Sequence, residues 1–281
     1  MKLIHPVAVA GAVLVALPAA ARAQGAETPA LVASGTAAIV SDYRFRGVSQ
    51  SDRGMAVQGG ITLSHRSGVY AGAWGSNLAG WGTFGGANLE LDLIGGVRLP
   101  VGGGTLDVGA TWYTYPGGAD RTAFVEPFAK LTGTAGPGTL TAGVAYAPRQ
   151  QALGRWYRTG ADAAAGTYTD AGAKGDNLYL FADGAVALPG TPVTAKAHVG
   201  HSRGQDGLGP NATAVSPTGR YLDWSLGAEA TWRNLTLNLG YVDTDIADRE
   251  AAYLRPAFSR GQDGTGSIAG GALVLALTAS F

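Results

Sequence analysis

A few residues in the sequence have the types and spacing that hydrolytic enzymes use. Two groups combine histidine with serine or aspartate: Ser64 with His65, and His198 or His201 with Ser202 and Asp223. A histidine oriented by an aspartate can take the proton of a serine hydroxyl and so activate a nucleophile. No nucleophile elbow or other enzyme signature accompanies these residues. The sequence therefore predicts a protein that is not an enzyme, with an enzyme acting on lipid or peptide as the less favoured alternative.

Metal and thiol chemistry have little support. Residues 243–250, DTDIADRE, place acidic side chains at roughly alternate positions, as calcium loops do. They lack the turn glycine and the rest of the calcium-binding pattern, so we predict an acidic loop and no metal site. The chain contains no cysteine, which excludes disulfides and zinc bound through thiolates. No cofactor is predicted.

A third pattern alternates charged and aromatic side chains. Residues 41–54 read SDYRFRGVSQSDRG, in which Asp42, Arg44 and Arg46 alternate with Tyr43 and Phe45. Neighbouring residues of a β-strand point to opposite faces, so the charges share one face and the rings share the other. Such a strand separates a polar environment from one that accepts aromatic rings.

The same period of two recurs along the chain. Leu89, Leu91 and Leu93 alternate with Glu90 and Asp92, for example. Glycine accounts for 45 of the 281 residues, which disfavours helices. We therefore predict about twelve strands. They are expected near residues 35–48, 55–66, 68–77, 88–97, 105–115, 123–132, 139–148, 178–188, 191–202, 221–232, 234–241 and 268–281.

Connections between these strands alternate between short and long. RSG, PVGGG, TAGPG, PGT and RN are short, and longer connections separate them. Outer-membrane barrels have this arrangement, with short periplasmic turns and long outer loops. Because lipid offers the backbone no hydrogen-bond partners, a membrane sheet must also close on itself. We predict an all-β fold, a closed antiparallel up-and-down transmembrane β-barrel of about twelve strands, with a soluble β-sandwich less favoured.

The two chain ends indicate the compartment. Residues 1–23 have the features of a cleaved secretory signal peptide: Lys2 near the start, an apolar run from Val7 to Ala20, and the small-residue site Ala21-Arg22-Ala23. We predict a short periplasmic segment at residues 24–34, the barrel at 35–281, and a location in the cell outer membrane. Phe281 ends the last strand and is predicted to direct the chain to the barrel-assembly machinery. The neutral net charge gives no reason to expect nucleic acid as a partner.

In a barrel that spans lipid, one face of each strand lines the lumen and the other face contacts the lipid. A charge facing lipid at mid-depth costs about 2–4 kcal/mol for Arg or Lys, so we predict that charged side chains line the lumen. The predicted lumen residues are Asp42, Arg44, Arg46, Arg66, Glu90, Asp92, Asp107, Glu126, Lys130, Asp183, Lys196, His198, Asp223 and Glu229. The predicted aromatic girdle, which meets lipid headgroups and lipopolysaccharide, consists of Tyr43, Phe45, Trp112, Trp224, Trp232, Tyr241 and Phe281.

Several of these stretches together resemble a known family. SDYRFRGVSQSDRG, the following AVQGGITLSHRSGVYAGAWGSN and then NLELDLIGGVR are similar to the TorF-family putative porins, also called Gcw_chp. TYP and FVEPF, further along, fit the same family. The resemblance implies an outer-membrane barrel of the porin type with no established substrate, and it supplies no catalytic residues.

The favoured function is passive diffusion of small hydrophilic solutes or ions. A slight excess of acidic lumen residues predicts a weak cation preference. Twelve strands lie between small filled barrels and open porins, so opposite charges that pair across the lumen could also close it. Alternatively, the barrel has a structural or surface-binding role, since Arg155 to Gly160, RWYRTG, places Trp156 and Tyr157 between arginines in a long loop.

Overall fold

The computed structural model describes residues 29–79, 87–118, 120–156, 165, 167–206, 215, 218–247 and 268–281. Within these ranges twelve strands form a closed antiparallel barrel, as predicted. The barrel strands are β1 Leu31–Val40, β4 Ala56–His65, β5 Val69–Asn77, β6 Leu89–Val101, β7 Gly104–Thr114, β8 Phe124–Ala135, β9 Gly138–Gln150, β10 Gly175–Ala187, β11 Val193–Asp206, β12 Thr218–Trp232, β13 Leu235–Thr244 and β14 Ala272–Ser280. A separate two-stranded sheet consists of β2 Arg44–Phe45 and β3 Val48–Ser49, and a 3-10 turn covers Gln151–Leu153.

The barrel closes where the first strand meets the last. β1 pairs with β4 on one side and with β14 on the other, with Thr36 opposite Ser280 and Val40 opposite Ala276. The backbone groups of Gly35 and Phe281 also bond to each other in both directions. Closure removes the edge strands, whose unpaired N–H and C=O groups would be costly in lipid.

The two ends of the barrel differ in the length of their connections. At the short-turn end, residues 102–103, 136–137 and 233–234 connect neighbouring strands. Gly102, Gly136 and Arg233 have positive φ angles, which two-residue hairpin turns require. At the long-loop end, the connections cover residues 41–55, 78–88, 115–123, 151–174, 207–217 and 245–271. The predicted alternation of short and long connections is confirmed.

The outer face of the barrel is apolar. Leu89, Leu91 and Leu93 are exposed on β6, while Glu90 and Asp92 between them are buried. Leu273, Leu275 and Leu277 repeat the pattern on β14, and Leu273 is 69% exposed. Each exposed leucine would gain about 1.5–3 kcal/mol on burial. An apolar surface on strand after strand therefore fits a hydrocarbon environment better than water.

Glycines allow aromatic rings to lie flat against the inner wall. Tyr70 on β5 covers Gly96 on β6, and an added Cβ at Gly96 would lie 2.7 Å from the Tyr70 hydroxyl. Phe128 covers Gly109 in the same way, at 2.8 Å from the ring. A Cβ at those positions would displace the ring into the lumen. The many glycines thus give room for large side chains inside a barrel of this size.

The first strand differs from its prediction at both ends. β1 covers Leu31–Val40, whereas the sequence predicted residues 35–48. Residues 31–34, predicted to be a periplasmic segment, therefore belong to the barrel wall. Residues 41–55 do not extend the strand but turn back into the lumen. Within the described ranges, no helix is long and apolar enough to cross a membrane.

Candidate pore and its infolded segment

Residues 41–55, here called the infolded segment, form a small hairpin inside the long-loop half of the barrel. Arg44 pairs with Ser49 and Phe45 with Val48 across a tight turn at Arg46 and Gly47. Both turn residues have positive φ angles, 49° and 79°, as a type I′ turn requires. A Cβ on Gly47 would lie 3.0 Å from the Cβ of Asp223 on the barrel wall, so only glycine fits there.

One anchor of the infolded segment is Arg44. Its Nε lies 2.5 Å from Oδ2 of Asp42, and Oδ1 of Asp42 accepts a hydrogen bond from the Ser49 hydroxyl at 2.6 Å. Nη1 of Arg44 donates to the carbonyls of Ile268 and Gly270 at 3.1 and 2.9 Å. These bonds attach the hairpin to the residues that precede β14.

The second anchor is Arg46. Its Nη2 donates to both carboxylate oxygens of Glu126 on β8, at 2.8 and 2.7 Å. The guanidinium carbon lies 4.0 Å above the ring centroid of Tyr179 on β10. On the far side, the hydroxyl of Tyr221 on β12 donates to the carbonyl of Arg46 at 2.9 Å. Arg46 therefore connects strands on opposite sides of the lumen.

Aromatic rings pack around the hairpin on the side of β5 to β8, which we call the filled half of the lumen. Phe45 lies edge-on to Tyr113 at 5.8 Å, and Tyr113 stacks on Phe124 at 4.6 Å. Tyr43 contacts Trp74 at 5.5 Å. Burial raises the pKa of the Tyr43 phenol well above its ordinary value, and the Glu90 carboxylate raises it further, so Tyr43 stays a neutral hydroxyl.

The filled half continues toward the short-turn end through a charged cluster. The Tyr70 hydroxyl donates to Asp107 at 2.8 Å, and Arg98 lies 4.1 Å above the Tyr70 ring. Arg98 and Lys130 approach Asp107 at 3.6 and 3.5 Å. Arg98 was not predicted as a lumen residue, although it has the same parity along β6 as Glu90 and Asp92 and could have been found from it.

The opposite side of the lumen, formed by β11 to β14 with β1 and β4, contains a cavity of about 250 Å³ and is called the hollow half. Small and polar side chains line it, among them Thr36, Gln58, Asn238 and Thr278. It extends from Ser280, the last residue of β14, to Arg44 and Arg46 of the infolded segment. The infolded segment therefore forms one end of this cavity.

Charged groups of the wall face the same cavity. His198 on β11 lies between two carboxylates, with Nδ1 2.6 Å from Asp183 and Nε2 3.0 Å from Asp223. The Tyr179 hydroxyl donates to Asp223 at 3.0 Å. Nζ of Lys196, two residues before His198, lies 3.6 Å from Oε2 of Glu229 on β12. Positive and negative groups thus alternate along this part of the wall.

The predicted lumen residues are placed inside the barrel with one exception. Arg66 lies in the exposed turn after β4, so its lumen prediction is wrong. Glu90, Asp92, Glu126 and Asp183 are buried but do not line the cavity, whereas Lys196, His198, Asp223, Glu229, Asp42, Arg44 and Arg46 line it. Asp107 and Lys130 belong to the filled half. Whether these residues line a conducting pore stays a prediction.

The predicted aromatic girdle is wrong for two residues. Tyr43 and Phe45 are each 5% exposed and lie in the infolded segment, because β1 ends before them. The other predicted girdle residues are on the outer face. Trp112, Trp232, Tyr241 and Phe281 are exposed, and Trp224 packs against Tyr241 at 5.5 Å. Their contact with headgroups and lipopolysaccharide stays a prediction.

The candidate hydrolytic residues do not form a nucleophile–base pair in the described part of the chain. His65 contacts Ser67 in an exposed turn, while Ser64 faces the other side of β4. The Ser202 hydroxyl bonds to Asn177, and both ring nitrogens of His198 are held by carboxylates. A histidine with both nitrogens occupied has no free nitrogen to activate a serine.

Two other candidate sites fall partly outside the described residues. Trp156 is buried, and its Nε1 donates to the Ala173 carbonyl at 3.0 Å, so it does not offer an exposed binding surface. Residues 157–160 of the same motif lie outside the described ranges, as do residues 248–250 of the acidic stretch. Among the residues that the structure describes, no three His, Asp or Glu side chains are placed so that they could hold a metal ion together.

Together, the apolar exterior, closed sheet and polar interior define a β-barrel of the membrane-spanning class. The chain belongs to the Gcw_chp family, described as a bacterial protein of unknown function, whose model matches residues 23–281. No curated protein matches the sequence.

Several solved structures are similar to this chain at low sequence identity. A KdgM porin in complex with disordered oligogalacturonate is 7% identical, with 89% of this chain and 99% of that chain covered and a TM-score of 0.48. An outer membrane channel from Pseudomonas putida F1 is 11% identical, with 92% and 99% covered and a TM-score of 0.45. A porin refined at 1.8 ångströms resolution is 13% identical with a TM-score of 0.40, and the match covers 80% of this chain but only 62% of that porin.

Proposed function

We propose that this chain is an outer-membrane channel for passive diffusion of small hydrophilic solutes. The observation that carries the proposal is the cavity in the hollow half, which charged, polar and apolar side chains line together and which extends along the inner wall to the infolded segment. A barrel whose only task was structural would gain stability by filling that space with side chains, as the filled half does. The apolar outer face supports the membrane location.

The size of the cavity sets the size of the solute. The cavity volume of about 250 Å³ lies below the roughly 300–1,000 Å³ of pockets that hold drug-sized ligands. The infolded segment lines one end of this cavity and narrows the passage there. We therefore expect passage of ions and molecules with few non-hydrogen atoms, and exclusion of oligomeric solutes.

Several finer statements belong to the same proposal. They are cleavage of residues 1–23 as a signal peptide, recognition of Phe281 by the barrel-assembly machinery, contact of the outer loops with lipopolysaccharide, and membership of the narrower TorF group. Phe281 supports the second statement because it is 68% exposed at the end of β14 and available for contact.

The weak cation preference stays a prediction. Carboxylates outnumber Lys and Arg side chains among the predicted lumen residues, and in the described chain neither Glu90 nor Asp92 forms an ion pair with a basic residue. Both lie under the infolded segment rather than on the cavity, however. Their charge can act on a passing ion only through the field of the lumen.

Purified protein in a planar lipid bilayer tests the proposal. We expect discrete conductance steps, and a reversal potential under a salt gradient that gives the sign of the ion preference. A denatured sample of the same preparation controls for detergent artefacts. Gel migration and circular dichroism show whether the protein is folded. If folded protein gave no conductance steps, the channel function would be contradicted and a structural or surface-binding barrel favoured.

A further inference from the structure

Three cationic side chains that line the cavity each contain a buried nitrogen without a hydrogen-bond partner. These atoms are Nη2 of Arg44, Nη1 of Arg46 and Nζ of Lys196, the last of which makes only the longer ion pair with Glu229 at 3.6 Å. The three side chains are only 4%, 6% and 5% exposed, respectively. Buried donors are nearly always satisfied, and a charged donor left without a partner is costly.

In contrast, carboxylates that line the same cavity already accept hydrogen bonds. Asp42 accepts from Arg44 and Ser49, and Asp223 accepts from Tyr179 and from His198. None of the cavity-lining carboxylates has a buried oxygen without a partner. Among the described side chains that line the cavity, the buried groups without a hydrogen-bond partner are therefore donors on cations. A ligand that completes it must supply acceptors.

The three cations follow one path along the cavity. Arg46 lies above the ring of Tyr179, whose hydroxyl is 2.9 Å from Nε2 of His198. Lys196 is two residues from His198 on the same face of β11. Arg44 precedes Arg46 by two residues on the hairpin. A solute that moves past the hairpin thus meets Arg44 and Arg46, and then Lys196 nearer the short-turn end.

We propose that the cavity binds a small solute through one oxyanion group, a carboxylate or a phosphate, and that such solutes are carried in preference to neutral solutes of the same size. The ionised oxygens of such a group accept hydrogen bonds, and the guanidinium fork matches their geometry. Asp42 and Asp223 of the cavity are already held by partners, and the carboxylates around the cavity disfavour ligands of higher negative charge. This substrate class depends on the proposed channel function, whereas the binding site itself can be measured without conduction.

Isothermal titration calorimetry on the detergent-solubilised barrel tests the site. The probes are sodium gluconate, inorganic phosphate and sorbitol, which has the carbon skeleton of gluconate without its carboxylate. We expect heat of binding with gluconate, with phosphate or with both, and none with sorbitol. Equal binding of gluconate and sorbitol, or no binding of any probe, would overturn the proposal.

Variants locate the site on the cavity. Lys196→Gln removes one cation from the wall without touching the hairpin, and we expect affinity to fall about tenfold or more. Arg44→Gln should do the same, but it also weakens an anchor of the hairpin. Arg98→Gln is the matched control, because Arg98 pairs with Asp107 in the filled half, away from the cavity. If a folded Lys196→Gln barrel bound the anion with unchanged affinity, the binding site would not lie on this wall.

The two proposals fail in different ways. Conductance steps without binding of either anion leave the channel in place and overturn the oxyanion site. Binding that Lys196→Gln weakens, in a barrel that never conducts, supports the site and overturns the channel. In a conducting barrel, brief current interruptions by gluconate that sorbitol does not cause would link the two.

Discussion

The filled and hollow halves of the lumen share one wall and one strand pairing, but they differ in the volume of their inward side chains. In the filled half, β5 to β8 direct Tyr70, Trp74, Tyr113 and Phe124 inward. In the hollow half, the inward residues of β13, β14 and β1 are small, and include Asn238, Gly240, Ala276, Thr278 and Ala38. The difference shows that side-chain volume at inward positions, and not strand number alone, decides where a twelve-stranded barrel leaves space.

The largest expected effect comes from removing the infolded segment. Replacing residues 42–53 with a short Gly-Ser linker empties the long-loop part of the filled half. Single-channel conductance should rise several-fold, because the narrowest part of the lumen widens. If conductance stayed the same, the infolded segment would not be the constriction, and the comparison of the two halves would lose its functional meaning.

A smaller effect is expected from Arg46→Gln. The substitution leaves Glu126 buried without its cationic partner, and removing one member of a buried pair costs about 3 kcal/mol or more. Urea unfolding followed by tryptophan fluorescence measures the loss. Arg98→Gln is the control, because its pair with Asp107 is partly exposed and longer, so its loss should stay below about 1 kcal/mol. Equal losses would show that Arg46 does not anchor the hairpin.

A glycine substitution tests how tightly side chains pack on the wall between the two halves. A Cβ at Gly200 would collide with Tyr179, which contacts Arg46, His198 and Asp223. Gly200→Ala should therefore lower the free energy of unfolding by about 1–3 kcal/mol, the usual cost of overpacking. Gly184→Ala is the matched control, since nothing lies within 4 Å of its added Cβ. If Gly200→Ala left the free energy of unfolding unchanged, the Tyr179 ring would have to move aside without cost.

The smallest effect in the intact protein is expected from neutralising Glu90 and Asp92 together. Both lie under the infolded segment and away from the cavity, so Glu90→Gln with Asp92→Asn should reduce cation preference only slightly. The same pair in the barrel without residues 42–53 should reduce it clearly, because the carboxylates then face the open lumen. Reversal potentials of the four proteins decide this, and an equal shift in both backgrounds would contradict the placement.

Strand positions and their inward residues could be predicted from the sequence because both follow from local alternation. The leucines of β6 and β14 lie outside and the charges between them inside, as their parity required. The alternating lengths of the connections also predicted that short turns lie at one end of the barrel and long loops at the other. Each of these features depends on the spacing of residues along the chain and not on distant partners.

The hairpin could not be predicted in the same way. Residues 41–46 alternate as a strand does, and their inward turn depends on Glu126, Tyr179 and Tyr221, which lie far along the chain. One signal was present nevertheless, since Gly47 allows a tight turn. The cavity could not be predicted either, because it depends on the volumes of side chains on many separate strands.

Arg44 bonds to the carbonyls of Ile268 and Gly270, which follow it by 224 and 226 residues. Both carbonyls lie just before β14, the strand that closes the barrel against β1. Arg44 therefore links the hairpin that follows the first barrel strand to the residues that lead into the last one. Loss of its bonds would loosen the hairpin and the start of the closing strand together.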